Sequence, residues 1–384
     1  MEVIRWGYLI FFPNDDSLAY RILELTAISG ELPASLLHSL SYSRDYIYNV
    51  ISYLRKNNLL RVFHQDKIRG YRLTSHAKEI LLLKNPDRFC PFLTGNVETN
   101  LLKSELNRRI RLHCIAEVNL LMLYGNVAVF PDKKPVVFTP QKMRLPPVCA
   151  PAFYTSREIK QIEMDGIKTN GSRMIGALLT PTGIHLTYNF RTGLIKIDHR
   201  SEQKANSLIM TALCIERLYE QYDPDQITGL MISKDFSVFS QILSSSETNT
   251  RAFFFLDGSM KHFYYLTSDQ CGAVLLRLLC SEDKQQLLNR ILRQDLLPPS
   301  IKYPIINDAF DRQGNPVLFG YFMDIPRINL FCYGLSSQQK HGTIICFDFQ
   351  KQVLSDLYGS LVKIQSINLE KFERSFFPSK SENT

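Results

Sequence analysis

Apolar positions recur with a helical period through the first sixty residues, and the period then shortens to that of a strand. In NDDSLAYRILELTAISG, Leu18, Ile22 and Leu25 share one helical face, with Asp16 or Ser17 as N-cap and Gly30 as the stop. ELPASLLHSL follows, with Pro33 suited to a first helical turn and Leu36, Leu37 and Leu40 on one side. RDYIYNVISYLRKNNLL places Ile47, Val50, Ile51 and Leu54 at i, i+3, i+4 and i+7, with Ser41 or Ser43 as its cap. LRVFH and GYRLT then read as two strands joined by QDKIRG. Thr74 can cap a further helix, SHAKEILLLK, and RFCPFLTG reads as a closing turn. Residues 1–13 suit a short strand or packing arm. Three helices, a hairpin and another helix over residues 15–84 predict a winged helix-turn-helix, within a domain spanning 1–95.

Residues 97–124 predict one long helix, basic in its first half and apolar in its second, as a connector over 96–125. From 126 onward strands and helices alternate, so the fold class is α/β (α+β overall). NVAVF, FYTSREIKQIEM, ITGLMIS, AFFFLDGSMKHFYYLT, NPVLFGYFMD, RINLFCYGL and GTIICFDF read as strands. SRMIGALLT and GIHLTYNF read as a hairpin across PTG. Helices are expected in SEQKANSLIMTALCIERLYEQY, FSVFSQIL, CGAVLLRLLC, DKQQLLNRILRQ and KQVLSDLYG. YDPDQ at 222–226 suggests a break between two lobes, 126–225 and 226–384.

On the third helix, the side opposite the apolar stripe carries Asp45, Asn49, Ser52 and Lys56, flanked by Tyr48 and Tyr53. Ser43 and Arg44 stand at its start. A helix in the DNA major groove presents its N-terminal residues to base edges. Arg pairs with guanine and Asn with adenine through two hydrogen bonds. The expected base-reading set is therefore Arg44, Asp45, Tyr48, Asn49 and Ser52, with Lys56 on phosphate. Asp45 is the odd member, since phosphate repels a carboxylate; it can accept from cytosine or orient Arg44. Arg61, Lys67, Arg69 and Arg72 lie on or beside the hairpin and suit phosphate or the minor groove. Arg108 and Arg109 extend this footprint or form a solvated helix face.

Charge is compatible with such a partner: the 384 residues carry a net +8. A 45% hydrophobic content supports sizeable cores. The eight cysteines are scattered without a CxxC pair, so they read as small buried hydrophobes in a reducing cytoplasm. MEVIRWGYLIFFP lacks the features of a signal peptide, and no run is long enough to span a membrane, so a cytoplasmic chain with no membrane partner is expected. Only the tail SKSENT reads as frayed.

One enzymatic reading arises. Pro131-Asp132 and Glu158-Ile159-Lys160 spell PD and ExK after a helix bearing Glu117. In a restriction-endonuclease-like first lobe, these would be a nuclease set of Glu117, Asp132, Glu158 and Lys160. Mg²⁺ would be the only cofactor, and the bland alternative is surface charge. His113 and Glu117 are spaced i, i+4 but lack a third metal ligand. No P-loop, GxGxxG, GxSxG or HExxH occurs.

The segments SRDYIYNVISYLRKNNLLRVF, GYRLTSHAKEILL and RRIRLHCIAEVNLLM, with FYTSREIK and SRMIGALLTPTGIHLTYNF, resemble the replication-relaxation family of bacterial plasmids and integrative elements. The first 125 residues carry most of this likeness. The resemblance implies a winged-helix N-terminus, an α/β region, and a role in plasmid replication, relaxation or conjugative mobilisation. It implies double-stranded DNA and relaxase or replication proteins as partners, and no catalytic set. A transcription regulator and a metal-dependent nuclease are the alternatives, and a homodimer is left open.

Overall fold

The computed structural model describes residues 12–95, 105–162, 171–244, 253–300 and 302–378. The proposed arm at 1–13 therefore lies outside the described residues save for its last two, and the tail SKSENT lies outside them entirely. The protein is mixed α/β and divides into two compact units, Met1–Leu120 with Phe130–Lys134, and Leu121–Val129 with Pro135–Thr384.

In the first unit, Ser17 Oγ accepts from Tyr20 N and opens helix α1 (Leu18–Ser29). Gly30, at φ 79°, ends it through N–H donation to Thr26 O at 2.8 Å. The expected stripe of Leu18, Ile22 and Leu25 is buried, and so is nearly every other residue of α1. The next segment departs from expectation. Leu32–Pro33 forms strand β1, and Ala34–Ser39 only a 3₁₀ turn. Pairing of Leu32 with Tyr71 and Pro33 with Gly70 holds the chain extended where a helix was expected to begin.

Helix α2 (Arg44–Lys56) is capped by Ser43 and buries Ile47, Val50, Ile51 and Leu54. Strands β2 (Leu60–Gln65) and β3 (Ile68–Leu73) pair antiparallel in a sheet of order β1-β3-β2. Their connection is tighter than QDKIRG suggested. Gln65 pairs with Ile68, leaving Asp66 and Lys67 as a two-residue turn, both left-handed at φ 53° and 60°. Thr74 caps helix α3 (Ser75–Lys84). The expected turn RFCPFLTG belongs instead to helix α4 (Pro86–Leu93), because Asn85 caps it and Pro86 occupies its first turn. Helix α5 (Leu106–Tyr124) follows. Residues 96–104 of the expected connector lie outside the described residues. The rest is no free connector: α5 is counted with the first unit as far as Leu120.

The second unit contains strand β4 (Ala152–Thr155), helix α6 (Ser156–Ile159), strands β5 (Gly176–Thr180) and β6 (Gly183–Arg191), and helix α7 (His199–Ile209), which continues as a π-helical stretch, Met210–Arg217. Then come β7 (Ile227–Ser233), α8 (Ser237–Leu243), α9 (Phe253–Leu256), β8 (Phe263–Thr267), α10 (Gln270–Leu279) and α11 (Glu282–Leu292). The chain closes with β9 (Ala309–Phe310), β10 (Pro316–Phe319), α12 (Ile325–Ser337), β11 (Gly342–Phe347), α13 (Asp348–Tyr358), β12 (Val362–Ile367) and α14 (Leu369–Phe376).

Two sheets have the orders β4-β5-β6-β7-β8 and β12-β11-β10-β9. The expected β5–β6 hairpin across PTG is present, with Thr180 opposite Gly183. The break expected at 225/226 is not a lobe boundary. Strands β6 and β7 pair in parallel across it, with α7 as the crossover. One apolar core draws Leu186, Met231 and Phe263 from the first sheet, Ile344 from the second, and Ile328 and Phe331 from α12. RINLFCYGL thus lies on a helix rather than a strand, with Ile325, Ile328, Phe331, Cys332 and Leu335 buried at helical spacing. Likewise AFFFLDGSMKHFYYLT is helix α9 followed by strand β8.

Candidate nucleic-acid interface

Burying one side of α2 leaves the other outward. Arg44, Asp45, Tyr48, Asn49 and Lys56 are exposed, Tyr48 at 74%, and Ser52 is half-buried. Ser43 is exposed too, but its hydroxyl accepts from Tyr46 N as the helix cap. Tyr42 and Tyr46, whose ring centroids lie 5.7 Å apart, add aromatic surface at the start of α2 that the sequence reading did not single out. On the hairpin, Arg61, Lys67 and Arg69 are exposed. Over residues 43–70 the exposed charges are cationic at Arg44, Arg55, Lys56, Arg61, Lys67 and Arg69, and anionic only at Asp45 and Asp66. A basic surface with polar and aromatic groups therefore spans α2 and the hairpin.

Two expected members of that surface are buried. Arg72 donates to Glu31 through Nε at 2.8 Å and Nη2 at 2.6 Å. Arg109 is fully buried; its Nη2 lies 2.7 Å from Glu31 Oε1, and it also donates to Gln65 O at 2.9 Å and Ile68 O at 3.0 Å. Both guanidiniums are turned inward onto that carboxylate and away from solvent. Arg108 is exposed and pairs with Glu105 at 3.1 Å.

Glu31, which sequence reasoning missed, is the hub. His113 Nε2 lies 2.9 Å from Oε1. Burial pushes the Glu31 carboxyl up, but the hydrogen bonds from His113, Arg109 and Arg72 outweigh it and hold the pKa at about 2. The ring of Phe63 lies beneath both guanidiniums, with Arg72 Cζ 3.9 Å and Arg109 Cζ 4.6 Å from its centroid. Gly70 makes room, since a Cβ there would stand 2.3 Å from Glu31 Oε1. The available hint was the pairing of His113 with Arg109 one turn earlier in a helix otherwise turning apolar.

The nuclease set is divided between the units, Glu117 and Asp132 in the first and Glu158 and Lys160 in the second. Asp132 accepts from Arg88 Nε at 3.0 Å and Nη2 at 2.6 Å, while Arg88 Nη1 reaches Glu24 at 2.5 Å. That guanidinium lowers the Asp132 pKa against the opposing effect of burial. Glu158 lies on α6 rather than on a strand. Its carboxylate accepts from Thr155 N at 2.8 Å, and Thr155 Oγ1 accepts from Glu158 N, a capping box that starts the helix. Lys160 follows this helix as its C-cap, and Glu117 lies on α5. Among the described residues, no three His, Cys, Asp or Glu side chains are grouped to hold a metal ion.

Two buried polar groups of the second unit, Glu202 and His185, have structural partners. Glu202 accepts from Ser172 Oγ at 2.7 Å and Arg173 N at 2.6 Å. His185 bonds Thr228 Oγ1 at 2.7 Å, and burial lowers its pKa to about 4. Cys114, Cys214, Cys332 and Cys346 are buried as expected, whereas Cys90 and Cys149 are exposed. No described helix is long and apolar enough to cross a membrane. Searches against protein-family models, curated proteins and solved structures return no match to the chain.

Proposed function

We propose that residues 15–84 act as a winged helix-turn-helix and that the chain binds double-stranded DNA, with α2 in the major groove and the β2–β3 hairpin as the wing. On this reading it serves a bacterial mobile element, in plasmid replication and relaxation or conjugative mobilisation. There it marks a DNA site and positions relaxase or replication enzymes. The observation that carries the DNA-binding part is the outward surface of α2 and the hairpin. Arg44, Lys56, Arg61, Lys67 and Arg69 are solvent-exposed there, beside Tyr48 and Asn49. A helix anchored by four buried aliphatics can present Arg44 and Asn49 to base edges while the hairpin cations meet phosphates. The element-specific part rests on the family resemblance of the first 125 residues.

The test is titration of duplex DNA from the protein's own element at several salt concentrations. Log affinity should fall with log salt by about 0.9 for each phosphate neutralised. Alanine at Lys67 or Arg69 should weaken binding on every sequence. Alanine at Arg44 or Asn49 should alter sequence preference by about 1–3 kcal/mol. Absence of salt-dependent duplex binding refutes the proposal.

A further inference from the structure

The hairpin bearing Lys67 and Arg69 is tied from behind. Arg109 on α5 donates to Phe63 O at 3.4 Å, Gln65 O at 2.9 Å and Ile68 O at 3.0 Å. Gln65 and Ile68 are the residues that flank the two-residue turn. One guanidinium thus closes the inner side of the turn whose outer side carries Lys67. The same guanidinium is held by Glu31, which also binds Arg72 on β3 and His113 on α5. Strand β1 pairs only as far as Gly70, and a two-stranded tip beyond it is marginal in water by itself. A planar fork can bridge three carbonyls and a carboxylate at once, whereas an ammonium on a flexible stem cannot.

We infer that Arg109 and Glu31 are positioning residues for DNA binding: they hold the hairpin cations in place without touching nucleic acid. The inference rests on the DNA-binding reading above. It predicts that Arg109→Lys, which keeps the charge, behaves like the loss of the hairpin. A phosphate-contacting arginine would instead tolerate lysine. Gly70→Ala, which changes no charge, should act in the same direction because its methyl group would collide with the Glu31 carboxylate.

Two measurements on the full chain test this. The first is amide hydrogen exchange in free protein. Residues 61–72 should lose protection in Arg109→Lys and in Gly70→Ala, while Ile22–Ile28 of α1 keeps theirs. The second is duplex binding across salt. Both variants should bind on the order of tenfold more weakly, with a salt slope smaller by about two, the share of Lys67 and Arg69. Adding Lys67→Ala to Arg109→Lys should then cost no further affinity. Unchanged hairpin exchange, or Arg109→Lys binding like wild type, overturns the inference. If Arg109→Lys fails to fold, Gly70→Ala decides by the same criteria. Failure of wild type to bind duplex DNA overturns the underlying reading, and the exchange result separately shows whether the hairpin is tied.

Discussion

Replacing Glu31 by glutamine removes the anion that Arg72 and Arg109 share and leaves both buried without their counter-charge. Breaking a buried pair in this way costs about 3–5 kcal/mol. The same contacts lower the pKa of Glu31. Glu31 sits at about 2 against an ordinary 4.5. At about 1.4 kcal/mol per unit, ionised Glu31 contributes roughly 3 kcal/mol at neutral pH. Because the folded pKa is depressed, that stability is fully present above the ordinary value. It is lost as pH falls from about 4.5 towards about 2, and roughly 2 kcal/mol of it is gone by about pH 3. The assay is urea denaturation of wild type and Glu31→Gln at matched pH values from neutral to about pH 3. The gap between them should be several kcal/mol at neutral pH and should narrow by about 2 kcal/mol on acidification. Comparing the two proteins cancels the titration of every other carboxylate. A gap that stays constant with pH refutes an ionised, charge-anchored Glu31.

Lys67 lies at φ 60° in the hairpin turn, where a side chain crowds the backbone. Lys67→Gly should raise stability by about 1 kcal/mol in chemical denaturation, while still lowering affinity for duplex DNA through the lost cation. Thr155→Ala removes the cap of α6 and should cost about 1 kcal/mol in the same measurement, while leaving DNA binding unchanged.

What could be read from the chain alone was what depends on near neighbours. The buried stripe of α2 follows from helical spacing, so Ile47, Val50, Ile51 and Leu54 turn inward as their positions predict. Caps at Ser17, Ser43 and Thr74 are equally local, because each hydroxyl meets an N–H three residues on. Short apolar runs were less legible. RINLFCYGL suits a strand or a buried helix, and only packing of Phe331 and Leu335 into the core decides for the helix. PD and ExK are a pair of short strings, which say nothing about whether the backbone between them brings the carboxylates together.

The cationic surface was legible residue by residue but not its membership. Arg61, Lys67, Arg69 and Arg72 look alike on a hairpin, yet Arg72 is buried while the others face water. Strand alternation assigns parity and leaves open which face another element covers. Glu31 lies 41, 78 and 82 positions from Arg72, Arg109 and His113, so no local pattern could join them. Local periodicity and capping determined α1, α2, α3 and the hairpin of the first unit. Tertiary contact alone decided which cations remain in solvent, because desolvating an arginine is tolerable only where the folded chain delivers a carboxylate to meet it.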